Sequence, residues 1–122
     1  MPRKPPPSPV DARRRRSPCP VACGLDIFGD KWTLLIVRDL VLGRSRFKDF
    51  AESPEGIPTN ILSDRLERLL DGGLIRRIPA ADGSKRLAYQ LTDKGRALRP
   101  ILRAIRDWGL KWEPGTQARL QG

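Results

Sequence analysis

The segment IPTNILSDRLERLLDGGLIRRI, residues 57 to 78, constrains the fold more than any other part of this 122-residue chain. Ile61, Leu62, Leu66, Leu69 and Leu70 recur at helical spacing and define one apolar face. Asn60, Ser63, Asp64, Glu67 and Arg68 point the other way, with Thr59 and Arg65 near the edges. Gly72 and Gly73 stop the helix, and LIRRIPA (74–80) follows at once as an extended segment. KRLAYQLT (85–92) reads as a second strand, joined to the first by a turn around Asp82-Gly83. In it Leu87, Tyr89 and Leu91 alternate with polar or small residues, and the same alternation sends only one of Arg76 and Arg77 outward. Such a helix needs a small bundle behind it, which the rest of the chain must supply.

The other elements do so. CPVACGLDIFG (19–29) reads as a short helix with Pro20 in its first turn and Val21, Leu25 and Phe28 on one side. Asp30 can cap the next, KWTLLIVRDLVLG, whose nearly continuous apolar surface predicts the central buried helix, ended by Gly43. SRFKDFAES is a short helix with Ser45 placed to cap and Phe47 and Phe50 facing inward. After the hairpin, Thr92 can cap a long final helix, DKGRALRPILRAIRDWGLKW, carrying Leu98, Ile101, Leu102, Ile105, Trp108 and Trp112 at three- and four-residue spacing. Pro100 should bend that helix or shift its start, because it removes a hydrogen bond and crowds the preceding turn. The predicted fold class is mainly α with a small β-hairpin wing, a winged helix-turn-helix. Held by its apolar back, the helix of the opening segment can lay its polar front in the major groove of DNA, which is wide enough to admit it.

Composition narrows the function. Lys and Arg number 24 against 14 acids, a net charge of +10 that favours polyanionic partners. Residues 1–18 contribute half of that excess and hold six of the twelve prolines, so they read as a disordered Pro/Arg-rich arm. With no histidine, only two cysteines and scattered carboxylates, the chain lacks the usual inventory of an enzyme, and neither a metal nor a cofactor is expected. No apolar run approaches the roughly 20 residues that span a bilayer. The N-terminus lacks the layout of a signal peptide, so the expected location is cytoplasmic with no membrane partner.

CPVACGLDIFGDKWTLLIVRDL, RFKDF, IPTNILSDRLERLLDGGLIRR, AYQLTDKGRAL and the later DWG together resemble the HxlR-type transcriptional regulators, relatives of the MarR regulators. The likeness runs from Cys19 to about Gly109. It implies a domain over residues 19–112 between the arm and a C-terminal tail (113–122). It also implies a homodimeric regulator, here read as a bacterial repressor, bound to double-stranded operator DNA. The first and last helices would dimerise, through Val21, Leu25 and Phe28 and through Leu98, Ile101, Leu102, Ile105 and Trp108. Two departures stand out. Pro58 replaces a common capping serine, so the reading helix would start late, at a Thr59 cap, and Ala88 replaces an acid usual in the second strand.

Within that framework Thr59, Asn60, Ser63 and Asp64 are the base-reading candidates, since Asn can pair with adenine and a carboxylate can accept from cytosine. Arg65 and Arg68 suit phosphates or a guanine edge, Lys85 and Arg86 a minor groove or phosphate at the wing, and Arg46 and Lys48 the backbone crossed by the preceding helix. An ordinary solvated face would instead pair Asp64 with Arg68 at i, i+4. Cys19 stands near the start of the first helix, an environment that favours thiolates, and relatives with a cysteine here include sensors of oxidants, quinones or aldehydes. Cys19 is thus a candidate redox sensor, balanced against a small structural residue, and the effector is a small molecule or an electrophile. A winged-helix protein-interaction module and a non-specific chromosome-binding protein are the alternatives.

Overall fold

The computed structural model describes residues 16–83 and 87–120. The elements run α1 (Pro20–Phe28), α2 (Thr33–Val41), α3 (Phe47–Ala51), α4 (Thr59–Asp71), β1 (Ile75–Pro79), β2 (Leu87–Leu91), α5 (Asp93–Arg96) and α6 (Arg99–Trp112). Residues 1–15 of the predicted arm, and Lys85 and Arg86, lie outside the described residues.

The apolar run of α2 is central, as its sequence requires: Ile36 and Val37 are buried against Phe50 of α3, Leu62, Leu66 and Leu69 of α4, and Leu98 and Leu102. Asp30 binds the start of α2, accepting from the Trp32 and Thr33 backbone N–H groups at 3.0 and 3.2 Å. The helix nevertheless begins at Thr33 with Trp32 as its N-cap, later than a cap at Asp30 would place it. Gly43 follows α2 with φ +96, a conformation that costs other residues energy. The cap of α3 differs from expectation. The helix starts one residue later than Ser45 would place it, and the Asp49 carboxylate reaches back to accept from the Ser45 and Arg46 N–H groups, both at 3.1 Å.

β1 and β2 pair antiparallel from Ile75 with Leu91 to Pro79 with Leu87. The Tyr89 N–H also donates to Ser45 O at 2.7 Å, tying the stretch before α3 to the outer edge of β2. Arg76 and Arg77 both face solvent, against strict alternation, because a two-stranded ribbon leaves much of both faces uncovered. In β2 the small Ala88 is buried while Leu87, toward the tip, is half exposed. An acid at position 88 would therefore be buried in this chain.

The long terminal helix divides in two. Thr92 accepts from Gly95 N–H and caps only the single turn α5, and Pro100 takes its place in the first turn of α6, where its missing N–H costs nothing. Gly95 is required there, since a Cβ would lie 2.1 Å from Leu74 O. Thr92 N–H and Lys94 Nζ donate to the carbonyls of Leu74 and Gly72 at 3.0 and 2.9 Å, closing the end of α4 against α5. The segment expected as a tail after Trp112 folds back instead. Leu120 joins the core, and Arg106 Nη1 donates to its carbonyl at 3.1 Å.

Candidate nucleic-acid interface

α4 is the element on which the site is built. Leu62, Leu66 and Leu69 anchor its back, and Thr59, Asn60, Ser63, Asp64, Glu67 and Arg68 are exposed along its front. Pro58, not Thr59, is the N-cap: its extended backbone (φ −61, ψ 143) turns the chain into the helix, and Thr59 occupies the first helical position. The turn entering α4 is fixed from behind. Arg38 of α2 grips the Glu55 carboxylate at 2.8 Å through both terminal nitrogens and also donates to the buried Asp39 at 3.0 Å. Ser53 Oγ donates to the same Asp39 side chain, and Arg44 Nη1 donates to Ser53 at 3.3 Å.

Two predicted contact residues are otherwise engaged. Arg65 is tied to Asp30, Nε to Oδ2 at 2.9 Å, and its Nη1 donates to Asp64. The solvated-face pairing of Asp64 with Arg68 is therefore absent, because the nearer Arg65 takes the carboxylate. Arg46 pairs with Asp82 in the hairpin turn at 2.7 Å, bracing the wing against α3. Lys48 is exposed, and Arg77 spans from the wing to Glu67 of α4 at 2.6 Å.

Three carboxylates, Asp30, Asp49 and Glu55, are held charged by their partners. Burial opposes ionisation of Asp30, but hydrogen bonds from Thr33, Arg65 and the Trp32 N–H outweigh it and bring its pKa from 3.8 to about 2. The Ser45 and Arg46 N–H groups depress Asp49, and Arg38 depresses Glu55. A depressed folded-state value means stability that is present above the ordinary carboxylate range and lost below it. Urea midpoints should accordingly fall as pH drops from about 4.5 towards 2. An Asp30→Asn chain should show a shallower fall; equal profiles would count against the Asp30 contribution.

The predicted dimer residues separate into two groups. Val21, Leu25, Ile105 and Trp108 are exposed apolar side chains on the outer faces of α1 and α6, and Phe28 and Ile101 are half-buried. Leu98 and Leu102, at the start of α6 where the bundle covers it, are buried in the core of their own protomer, whereas Ile105 and Trp108 lie further along the helix and are exposed. Cys19 is exposed at the N-cap of α1, and Cys23 is half-buried with its thiol donating to Ser17 O. Sequence reasoning missed the roles of Asp39, Ser53 and Glu55, whose partners are distant along the chain.

The HxlR-like helix-turn-helix model matches residues 27–117. The chain belongs to the HxlR-like helix-turn-helix family. Among HxlR-like and neighbouring proteins, it is 36% identical over 88 residues to YvaP of Bacillus subtilis, an uncharacterised HTH-type transcriptional regulator, covering 72% of this chain and 82% of YvaP. The solved structure of PA1607 superposes with a TM-score of 0.79 at 43% identity, over 90% of this chain and 78% of that one. The redox regulator HypR in its oxidised form superposes at 0.67 with 31% identity, over 75% and 94% of the two chains. The HxlR-like fold is thus a winged helix-turn-helix, with α3 and α4 as the helix-turn-helix pair and β1–β2 as the wing. Among the described residues no helix is long and apolar enough to cross a membrane.

Proposed function

We propose that this HxlR-like chain is a non-enzymatic, cytoplasmic, homodimeric repressor that binds a pseudo-palindromic operator, each protomer inserting α4 into a major groove. The observation that carries the reading is the two-sided character of α4: a leucine back locked in the core and a front of Thr59, Asn60, Ser63 and Asp64 in solvent. Half-sites would lie one turn apart, about 34–36 Å. Lys48, Arg68, Lys85 and Arg86 would contact phosphates, and exposed apolar residues of α1 and α6 would meet their copies across the twofold axis.

The effector is a small molecule or an electrophile. A cleft of about 280 Å³ between α2 and α6, walled by Leu35, Leu102, Ile105 and Leu110, is of a size to hold a small apolar compound. Cys19, exposed ahead of α1, supports the electrophile reading, as does the likeness to HypR.

Fluorescence anisotropy on the chain's own upstream DNA and on scrambled DNA, across a salt series and with reduced or oxidised protein, tests this. Tight preference for the upstream DNA that changes on oxidation is expected. Equal binding to both DNAs that vanishes with salt would instead indicate a non-specific binder. Asn60→Ala should relax the preference at one base pair by roughly 1–3 kcal/mol. Uniform weakening on every sequence would remove Asn60 from base reading.

A further inference from the structure

We propose that Asp30 is a specificity-determining positioning residue, which acts through Arg65 to fix the Asp64 carboxylate on the exposed front of α4. The inference rests on the DNA-reading function proposed above and adds to it a residue that lies off the reading helix.

The Asp30 carboxylate gathers four donors from two elements. Its Oδ2 accepts from the Trp32 and Thr33 N–H groups and from Arg65 Nε at 2.9 Å, while Oδ1 accepts from the Thr33 hydroxyl. The three contacts to residues 32 and 33 close the turn between α1 and α2 and hold Asp30 in place. Arg65 is thereby held along the side of α4, with its side chain only 17% exposed, and a second of its nitrogens, Nη1, donates to Asp64. Asp64 is the one acid among the four base-reading candidates, and its side chain is 56% exposed.

A carboxylate entering a DNA groove meets the field of two rows of phosphates. It is tolerated there when a cation stands beside it, and it can then accept a hydrogen bond from a cytosine amino group. A long, flexible arginine would by itself turn to the nearest phosphate. Asp30 prevents that by holding Nε, which leaves the guanidinium edge for Asp64. The three charges sum to −1, and the ordering Asp30–Arg65–Asp64 spends the cation on selectivity instead of on phosphate attraction. The depressed pKa of Asp30 keeps that carboxylate charged while it holds Arg65.

Asp30→Asn separates this role from simple capping. The asparagine carbonyl can still accept from the Trp32 and Thr33 N–H groups, but without the charge it holds the Arg65 guanidinium more weakly. The test uses the full chain and a duplex library with a randomised centre, sequenced after selection, followed by anisotropy on the selected duplex and its single-base variants. Asp30→Asn should lower discrimination at one base pair about tenfold. It should also steepen the salt dependence by about one unit of log-log slope, as the freed Arg65 reaches a phosphate. In an Asp64→Ala chain, which lacks that preference already, Asp30→Asn should leave base preference unchanged.

An unaltered base preference in Asp30→Asn overturns the proposal. So does the same loss of discrimination in the Asp64→Ala background, which would mean Asp30 merely supports the fold. Failure of the unsubstituted chain to enrich any sequence would overturn the DNA-reading function, and this proposal with it.

Discussion

If the chain acts as the proposed homodimeric repressor, replacing Ile105 and Trp108 together with glutamate should give a folded monomer that binds the operator about 100-fold more weakly, or worse. Both side chains are more than half exposed at 52% and 60%, and neither contributes to the core of the protomer. Their loss should therefore leave the fold intact. In a twofold dimer, however, each contact occurs twice, and fully covering one such apolar side chain contributes about 1.5–3 kcal/mol. Four buried carboxylates would reverse that gain. Once the protomers separate, each half-site is bound alone, and the effective-concentration advantage of a linked pair, on the order of 10²–10⁴, is lost. Sedimentation equilibrium and anisotropy on one sample would report both effects. A variant that remains dimeric would place the interface elsewhere on the molecule.

Asp39→Ala should destabilise the chain by about 3–5 kcal/mol, a large part of the roughly 5–15 kcal/mol typical of a domain. Asp39 is 2% exposed and joins three segments: Arg38 on its own helix, the Ser53 hydroxyl in the turn before α4, and, through Ser53, Arg44. Removing the carboxylate leaves the buried hydroxyl without its acceptor and the Arg38 guanidinium with Glu55 alone. It also opens a hole beside Phe50 and Ile57, which line the same small void as Asp39. Because Ser53 and Glu55 precede α4 directly, the surviving folded molecules should also read DNA less selectively. Urea denaturation measures the first effect, and a loss below about 1 kcal/mol would show that the network contributes little net stability.

The architecture was legible because each element depends on neighbours in sequence. The leucine spacing of α4, the Asp82-Gly83 turn, the apolar run of α2 and the effect of Pro100 are all local properties. The ion pairs were not. Arg65 and Asp30 stand 35 residues apart, and from sequence Arg65 differs in no way from Arg68 beyond its place nearer the helix edge. The stripe on α6 was correctly read as apolar, yet spacing does not reveal which residues face the protomer's own core. Leu98 and Leu102 turn inward and Ile105 and Trp108 outward because α6 lies across the bundle with only its first half covered. Leu120 was missed for a related reason: a lone leucine in a polar segment carries no periodicity. At α3, Ser45 was expected to cap, but the N-cap is Arg46 and the Asp49 carboxylate, reaching back, holds the Ser45 and Arg46 N–H groups.

On α4, Thr59, Asn60 and Ser63 make no side-chain hydrogen bond or ion pair within the described residues, while the residues that hold the helix are the leucines behind them. On the proposed reading, recognition and folding draw on different positions of the same thirteen residues. Mutations on the front can drift with little effect on abundance, so a duplicated gene could acquire a new operator by a few substitutions without passing through an unfolded intermediate. Asp64 and Glu67, each in an ion pair, are the exceptions. The partner of Asp64 is pinned to the turn between α1 and α2, and a lineage that changes Asp64 must also find a new use for Arg65.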